Sequence, residues 1–227
     1  PWLKEEWAIP SVGPDFVWHM EDVLDLYAEP TDPKRPIVCL DECPIQLVEE
    51  VQAPLPAKPG QPERNDYEYK RNGSANVFMT VEPQLGSRHI EVTERRTKQD
   101  FALQMKALVD ERHPQADVIR LVVDNLNTHT PAALYEAFTP EEARRITRKL
   151  EFHYTPKHGS WLNMAEIELA VFAQQCLDRR IPDAEYLRRE AGAWESERNH
   201  KGVQIHWHFT TTDARASLKR LYPAQSP

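Results

Sequence analysis

The stretch DVIRLVVDNLNTH (117–129) decides the fold class. Its first part, Asp117–Val123, is a short apolar run rich in β-branched residues, the pattern of a strand buried on both faces. It ends at Asp124. A second such run, Pro36–Leu40, ends at Asp41. Between the two, Ser74–Val81 and Arg88–Val92 read as strands joined through Pro83–Gly86, a hairpin. Thr97–Glu111 carries Phe101, Leu103, Met105, Leu108 and Val109 at roughly helical spacing. Downstream, Pro131–Phe138 and Glu141–Lys149 read as helices. The second opens after Thr139-Pro140, an N-cap followed by a first-turn proline. Phe152–Tyr154 is a short strand. Leu162–Arg179, Asp183–Arg198 and Thr212–Leu221 are helices, and one short helix falls near Met20–Tyr27. Val51–Asp66, with Pro54, Pro56, Pro59, Gly60 and Pro62, is a loop. This order predicts an α/β protein, a mixed sheet with helices on its faces.

Composition narrows the class. The 227 residues are 40% hydrophobic and 28% charged, ordinary for a folded domain. No apolar run approaches the ~18 residues of a membrane span, and no signal peptide is visible. Three cysteines (Cys39, Cys43, Cys176) without a CxxC pair exclude a disulfide framework and an all-cysteine zinc site, and they fit a reducing compartment. Neither GxSxG nor GxGxxG occurs, which argues against a generic hydrolase or dehydrogenase. The net charge of −8 is uneven: residues 1–60 hold 4 basic and 12 acidic residues, and the remainder holds 24 of each. An acidic chain binds nucleic acid only through local basic patches.

In open α/β sheets, sites form at the carboxyl ends of strands. If the strands before Asp41 and Asp124 are parallel neighbours, the two carboxylates meet at one edge. Their repulsion then demands a raised pKa or a cation, and the hard ions Mg²⁺ and Mn²⁺ suit oxygen ligands. The alternative is that each aspartate caps the following element. On the helix Leu162–Arg179, at 100° per residue, Leu162, Leu169, Ala170, Ala173 and Leu177 fall around Glu166. Glu166 is thereby expected on the core-facing stripe, and Glu168 nearly opposite, in solvent. A core-facing carboxylate calls for a metal or an arginine partner.

Several segments together resemble the catalytic domain of the DDE transposases of the mariner-like superfamily, in its bacterial insertion-sequence branch. They are VCLDE (38–42), DYEYKRNGS (66–74), RRTKQDF (95–101), VVDNLNTH (122–129) and EFHYTPKHGSWLNMAEIEL (151–169). The resemblance implies a ribonuclease H-like fold, with an N-terminal arm at 1–35, the catalytic core at 36–180 and a C-terminal helical extension at 181–227. It implies Asp41, Asp124 and Glu166 as catalytic metal ligands for two Mg²⁺ ions, with Mn²⁺ able to substitute. The implied activity is cleavage of transposon ends and joining of the 3′-OH to target DNA. A ribonuclease H-like nuclease without strand transfer, or a non-catalytic transposase-derived DNA-binding protein, is the alternative. Asp124 and Glu166 lie 42 positions apart, longer than usual for the superfamily, and the helix at 141–149 absorbs the excess. Double-stranded DNA is the expected partner, with a homo-oligomer as the active complex. The family's helix-turn-helix modules are expected on the full-length chain or a partner chain. The expected location is the bacterial cytoplasm, at the nucleoid, with no membrane.

Further residues are candidates for supporting the acids or binding DNA. By the resemblance Asn125, Asn127 and His129 surround the active site; the alternative is a plain turn. Lys157 and His158 precede the helix bearing Glu166, which Ser160 or Asn163 would cap. Trp161 is suited either to stacking on a flipped base or to the core. Arg144, Arg145 and Arg148, with Lys149 and Lys157, form the densest basic run, a DNA-backbone track or a solvated face paired with Glu141 and Glu142. Tyr69, Lys70 and Arg71 mark a hairpin edge or a DNA contact. His206-Trp207-His208 offers two metal ligands at most and reads as an aromatic strand. Cys39 and Cys43 read as buried thiols.

Overall fold

The apolar run at 37–40 begins a strand much longer than itself. In the computed structural model, which describes residues 13–52, 56–62, 64 and 67–223, β1 spans Ile37–Glu50. Residues 1–12 of the expected arm, and Pro54 and Asp66 of the expected loop, lie outside the described residues. The other strands are β2 (Tyr69–Glu82), β3 (Ser87–Thr93), β4 (Ile119–Val123) and β5 (Leu150–Tyr154). They form one sheet in the order β3-β2-β1-β4-β5. β2 and β3 make the expected hairpin, antiparallel to each other and to β1. β4 runs parallel to both β1 and β5. This mixed five-stranded sheet, with helices on both faces, is the ribonuclease H-like architecture.

The helices are α1 (Pro14–Ala28), α2 (Lys98–Ala107), α3 (Pro131–Ala137), α4 (Pro140–Thr147), α5 (Met164–Cys176), α6 (Ala184–His200) and α7 (Thr211–Ser217). Their starts are written locally. Thr97 and Asp100 form a reciprocal capping box for α2. Thr139 accepts a bond from the Glu142 amide, with Pro140 in the first turn of α4. Strand alternation sorts the core into two layers. Ile37, Cys39 and Val122 pack with α1, α5, α6 and α7. Val38, Leu40, Ile119, Leu121 and Val123 pack with α2, α3 and α4. Helices α1 and α6, from the stretches read as arm and extension, thus share an interior with α5.

Asp41 was expected just past the end of its strand; it lies within it. Parallel pairing of β1 with β4 ends at Cys39↔Val122. Antiparallel pairing with β2 continues through Asp41↔Met79 to Glu50↔Tyr69. The strand therefore stops only on the β4 side, which is the side that matters for Asp124.

Candidate active site

The register brings the two aspartates together. Ile37 pairs with Arg120 and Cys39 with Val122. Two residues further along each parallel strand come Asp41 and Asp124, on the same face by strand alternation. That face is covered by α5, whose first turn carries Glu166. Asn163, fully buried, fixes this turn. Its side-chain oxygen caps α5 by accepting from the Ala165 amide (3.1 Å). Its Nδ2 donates to the carbonyl of Leu40 (2.8 Å), the residue before Asp41. The three acids feel one another: the Asp41 carboxyl is pushed up to about 7. Burial is the main cause, and the charges of Glu42, Asp124 and Glu166 add to it. The Glu42 amide, donating to Asp41 Oδ1 at 2.8 Å, opposes the shift.

Asp124 is gripped from its own loop. Its Oδ1 accepts from the Leu126 amide (3.3 Å) and lies 2.5 Å from Nδ1 of His129. The imidazole is buried and sits between two carboxylates, with Nε2 3.0 Å from Glu42 Oε2. Burial alone would lower its pKa, but hydrogen bonding to Asp124 and the charge of Glu42 outweigh burial and raise it to about 9. The ring is therefore an imidazolium at neutral pH. Asn125 Nδ2 donates to the carbonyl of Thr155, tying this loop to the end of β5. Asn127 is exposed in the same loop.

The remaining candidates divide by position. Lys157 and His158 are exposed in the loop after β5, at the same end of the sheet as Asp124. His158 is the one non-glycine residue with positive φ (66°) among the described residues. Trp161 is 43% exposed and stacks on Trp207 with a 6.3 Å centroid separation, with Phe209 edge-on at 6.2 Å. It is neither a core residue nor isolated. Arg144, Arg145 and Arg148 are not brought to the acids. They belong to α4 and the turn entering β5, whose first residue Leu150 pairs with Ile119, at the opposite end of β4 from Asp124. Arg145 is also neutralised by Asp110 (2.7 and 2.8 Å) and Glu142 (2.7 and 2.9 Å).

Two corrections concern α5. Its buried positions are Met164, Ala165, Glu168, Phe172 and Cys176, so Glu168, expected in solvent, is a core residue. Glu166 sits at the edge of the buried face, partly exposed. The helix is apolar around most of its circumference, so the helical wheel has no unique face to read. Glu168 is stable inside because Arg88 and Arg198 neutralise it. Glu42 was overlooked altogether. Its signal is the Asp-Glu pair in a strand, which sends adjacent side chains to opposite faces.

The donor set suits a hard cation, since it is all oxygen and carries mutual repulsion that a divalent ion would relieve. Among the described residues no group of three or more Asp, Glu, His or Cys side chains is placed so that it could hold a metal ion. Mg²⁺ commonly takes only one or two carboxylates, with waters and substrate phosphates completing its shell.

Solved structures share this fold. The chain is similar to the Mos1 mariner transposase in its paired-end complex with Mn (TM-score 0.58, 18% identity, 89% of this chain and 61% of that one). It is similar to the same protein in a strand transfer complex (TM-score 0.60, 14% identity, 99% and 68%). A paired-end complex with Mg gives a TM-score of 0.57 at 15% identity, covering 100% and 68%. The chain spans about three-fifths of the length of the first of these. No curated protein matches it by sequence. The family described as DDE superfamily endonuclease matches residues 36–188, which include all three acids, and the chain belongs to that family.

Proposed function

We propose that this chain is the catalytic domain of a mariner-like DNA transposase, with Asp41, Asp124 and Glu166 as its metal ligands. The observation that carries the reading is the convergence of the three acids, from β1, the end of β4 and α5, on one end of the sheet. The reaction is phosphoryl transfer at DNA phosphodiesters, cutting transposon ends and then joining the 3′-OH to target DNA. Divalent cations, Mg²⁺ or Mn²⁺ and two in number, supply activation of the attacking oxygen and charge stabilisation of the leaving one when bound. The chain's own residues fix the geometry: Asn163 ties Glu166's helix to the backbone before Asp41, and His129 holds one oxygen of Asp124. Lys157 and Trp161, both exposed in the segment between β5 and α5, meet the DNA. The active assembly is a homo-oligomer on double-stranded DNA at the bacterial nucleoid, with helix-turn-helix modules supplied by the rest of the chain or a partner.

Asp41→Asn, Asp124→Asn and Glu166→Gln keep side-chain shape and remove one charge each. Each is expected to abolish Mn²⁺-dependent nicking of supercoiled plasmid while leaving the far-ultraviolet circular dichroism unchanged. Near wild-type nicking by any of the three removes that residue from the ligand set, and full nicking in EDTA overturns the metal reading.

A further inference from the structure

The three-acid ligand set proposed above uses Asp41 but not the side chain of its neighbour Glu42. Adjacent strand residues face opposite sides, so Glu42 points away from α5 into the layer beneath α2. There its side chain is 2% exposed and meets His129, whose side chain is 1% exposed. The separation is 3.0 Å from Oε2 to Nε2, and neither of those two atoms makes a hydrogen bond of its own. The opposite ring nitrogen holds Asp124 at 2.5 Å. Phe101 packs against the imidazole at 4.9 Å between centroids, and the Tyr154 hydroxyl donates to the His129 carbonyl (2.9 Å). Arg96 lies 3.7 Å from the other Glu42 oxygen.

Burying a carboxylate this way is costly unless a partner compensates it. The partner here is the His129 ring, 3.0 Å away, whose other nitrogen grips a proposed ligand at 2.5 Å. Remove the Glu42 carboxylate from this contact and the ring loses its anchor on one side, so Asp124 is held by a looser partner. We propose that Glu42 is a positioning residue: acting through His129, it fixes the orientation of the Asp124 carboxylate and so sets the affinity of the site for a divalent cation. This rests on the metal reading of the three acids. In that reading β1 serves the site twice, with Asp41 as ligand on one face and Glu42 as support for the other aspartate on the reverse face. Partners one layer out from a metal typically change its affinity 10- to 100-fold when removed.

The test uses the whole chain and Mn²⁺ alone, with free Mn²⁺ followed by electron paramagnetic resonance. Glu42→Gln is expected to weaken Mn²⁺ binding about 10- to 100-fold. In plasmid nicking the Mn²⁺ concentration for half-maximal rate should rise to match, while the rate at saturating Mn²⁺ stays within about threefold, a split that a loss of fold would not give. His129→Gln should show the same loss, and the double variant no more than His129→Gln alone, because Glu42 acts through the ring. Wild-type Mn²⁺ affinity in folded Glu42→Gln overturns the proposal, as does a further tenfold loss in the double variant. If Glu42→Gln melts below the assay temperature, Glu42→Asp replaces it. Its carboxylate is withdrawn by one methylene from the 3.0 Å contact, and the same expectation and the same overturning result apply. Asp41→Asn separates the two claims. If it abolishes Mn²⁺ binding while Glu42→Gln does not weaken it, positioning fails alone. If Asp41→Asn itself binds like wild type, the metal reading fails and takes this proposal with it.

Discussion

Glu168 and Arg88 form an ion pair sealed from solvent, with side chains 1% and 0% exposed and Nε 3.3 Å from Oε2. Arg198 closes on the same carboxylate through two bonds of 2.7 and 2.8 Å. One acid on α5 thereby joins the β2–β3 hairpin to α6. Glu168→Gln keeps the shape and strands two cations beside it. It is expected to lower unfolding free energy by about 3–5 kcal/mol, read from the urea midpoint. An unchanged midpoint would show that the two arginines find other partners.

Asn163 makes two bonds at once, its side-chain oxygen accepting from the Ala165 amide of α5 and its Nδ2 donating to the Leu40 carbonyl. Asn163→Ala should cost about 1–3 kcal/mol in thermal or urea unfolding. Asn163→Asp keeps the cap but sets a charge against a buried carbonyl, so it should be no more stable than the alanine variant. If Asn163→Asp matches wild type, the bond to Leu40 contributes nothing.

Glu82 gives the pH test. Burial pushes its carboxyl from an ordinary 4.5 up to about 7. His113, 3.5 Å away, is held below its usual range by burial and by Arg112, so it offers little counter-charge. Below pH 4.5 the group is protonated folded and unfolded, and it has no effect. As pH rises from 4.5 to 7 the unfolded chain releases its proton first, so the folded state loses stability; above 7 the penalty is constant. Glu82→Gln should match wild type near pH 4 and exceed it by about 1–3 kcal/mol at pH 8, in paired denaturation curves. A gain that is the same at both pH values would show that the charge is irrelevant.

DNA binding separates the basic residues by position. Lys157 is exposed at the same end of the sheet as Asp124, so Lys157→Ala should reduce the slope of log affinity against log salt by about one. Arg145 faces the far end of the sheet and is matched by Asp110 and Glu142, so Arg145→Ala should leave that slope unchanged. The reverse result would place the backbone track on α4.

Much of the fold could be read from local patterns. β4 is five buried, mostly β-branched residues, and the starts of α2 and α4 are spelled by Thr97 with Asp100 and by Thr139-Pro140. Asp41 and Asp124 could be placed at one edge because parallel neighbours share a register. What failed were properties set by distant residues. The length of β1 depends on β2, and the burial of Glu168 depends on Arg88 and Arg198, both remote in sequence. A helical wheel weighs only the helix's own residues, so it turned α5 the wrong way. Glu42 escaped notice for a similar reason, since its partner His129 is reached only once the strand is known to run on.

The matched register of β1 and β4 also limits which changes the gene can absorb. Because strand residues alternate faces, inserting or deleting one residue between Leu121 and Asp124 would deliver the carboxylate to the opposite face of the sheet, away from Asp41 and Glu166. Substitutions within β4 need only keep volume and apolarity. Its length is under a stricter rule, since only paired changes preserve the facing. Surface loops on the same chain can lengthen and shorten freely, whereas here a single codon gained or lost would separate the acids in one step.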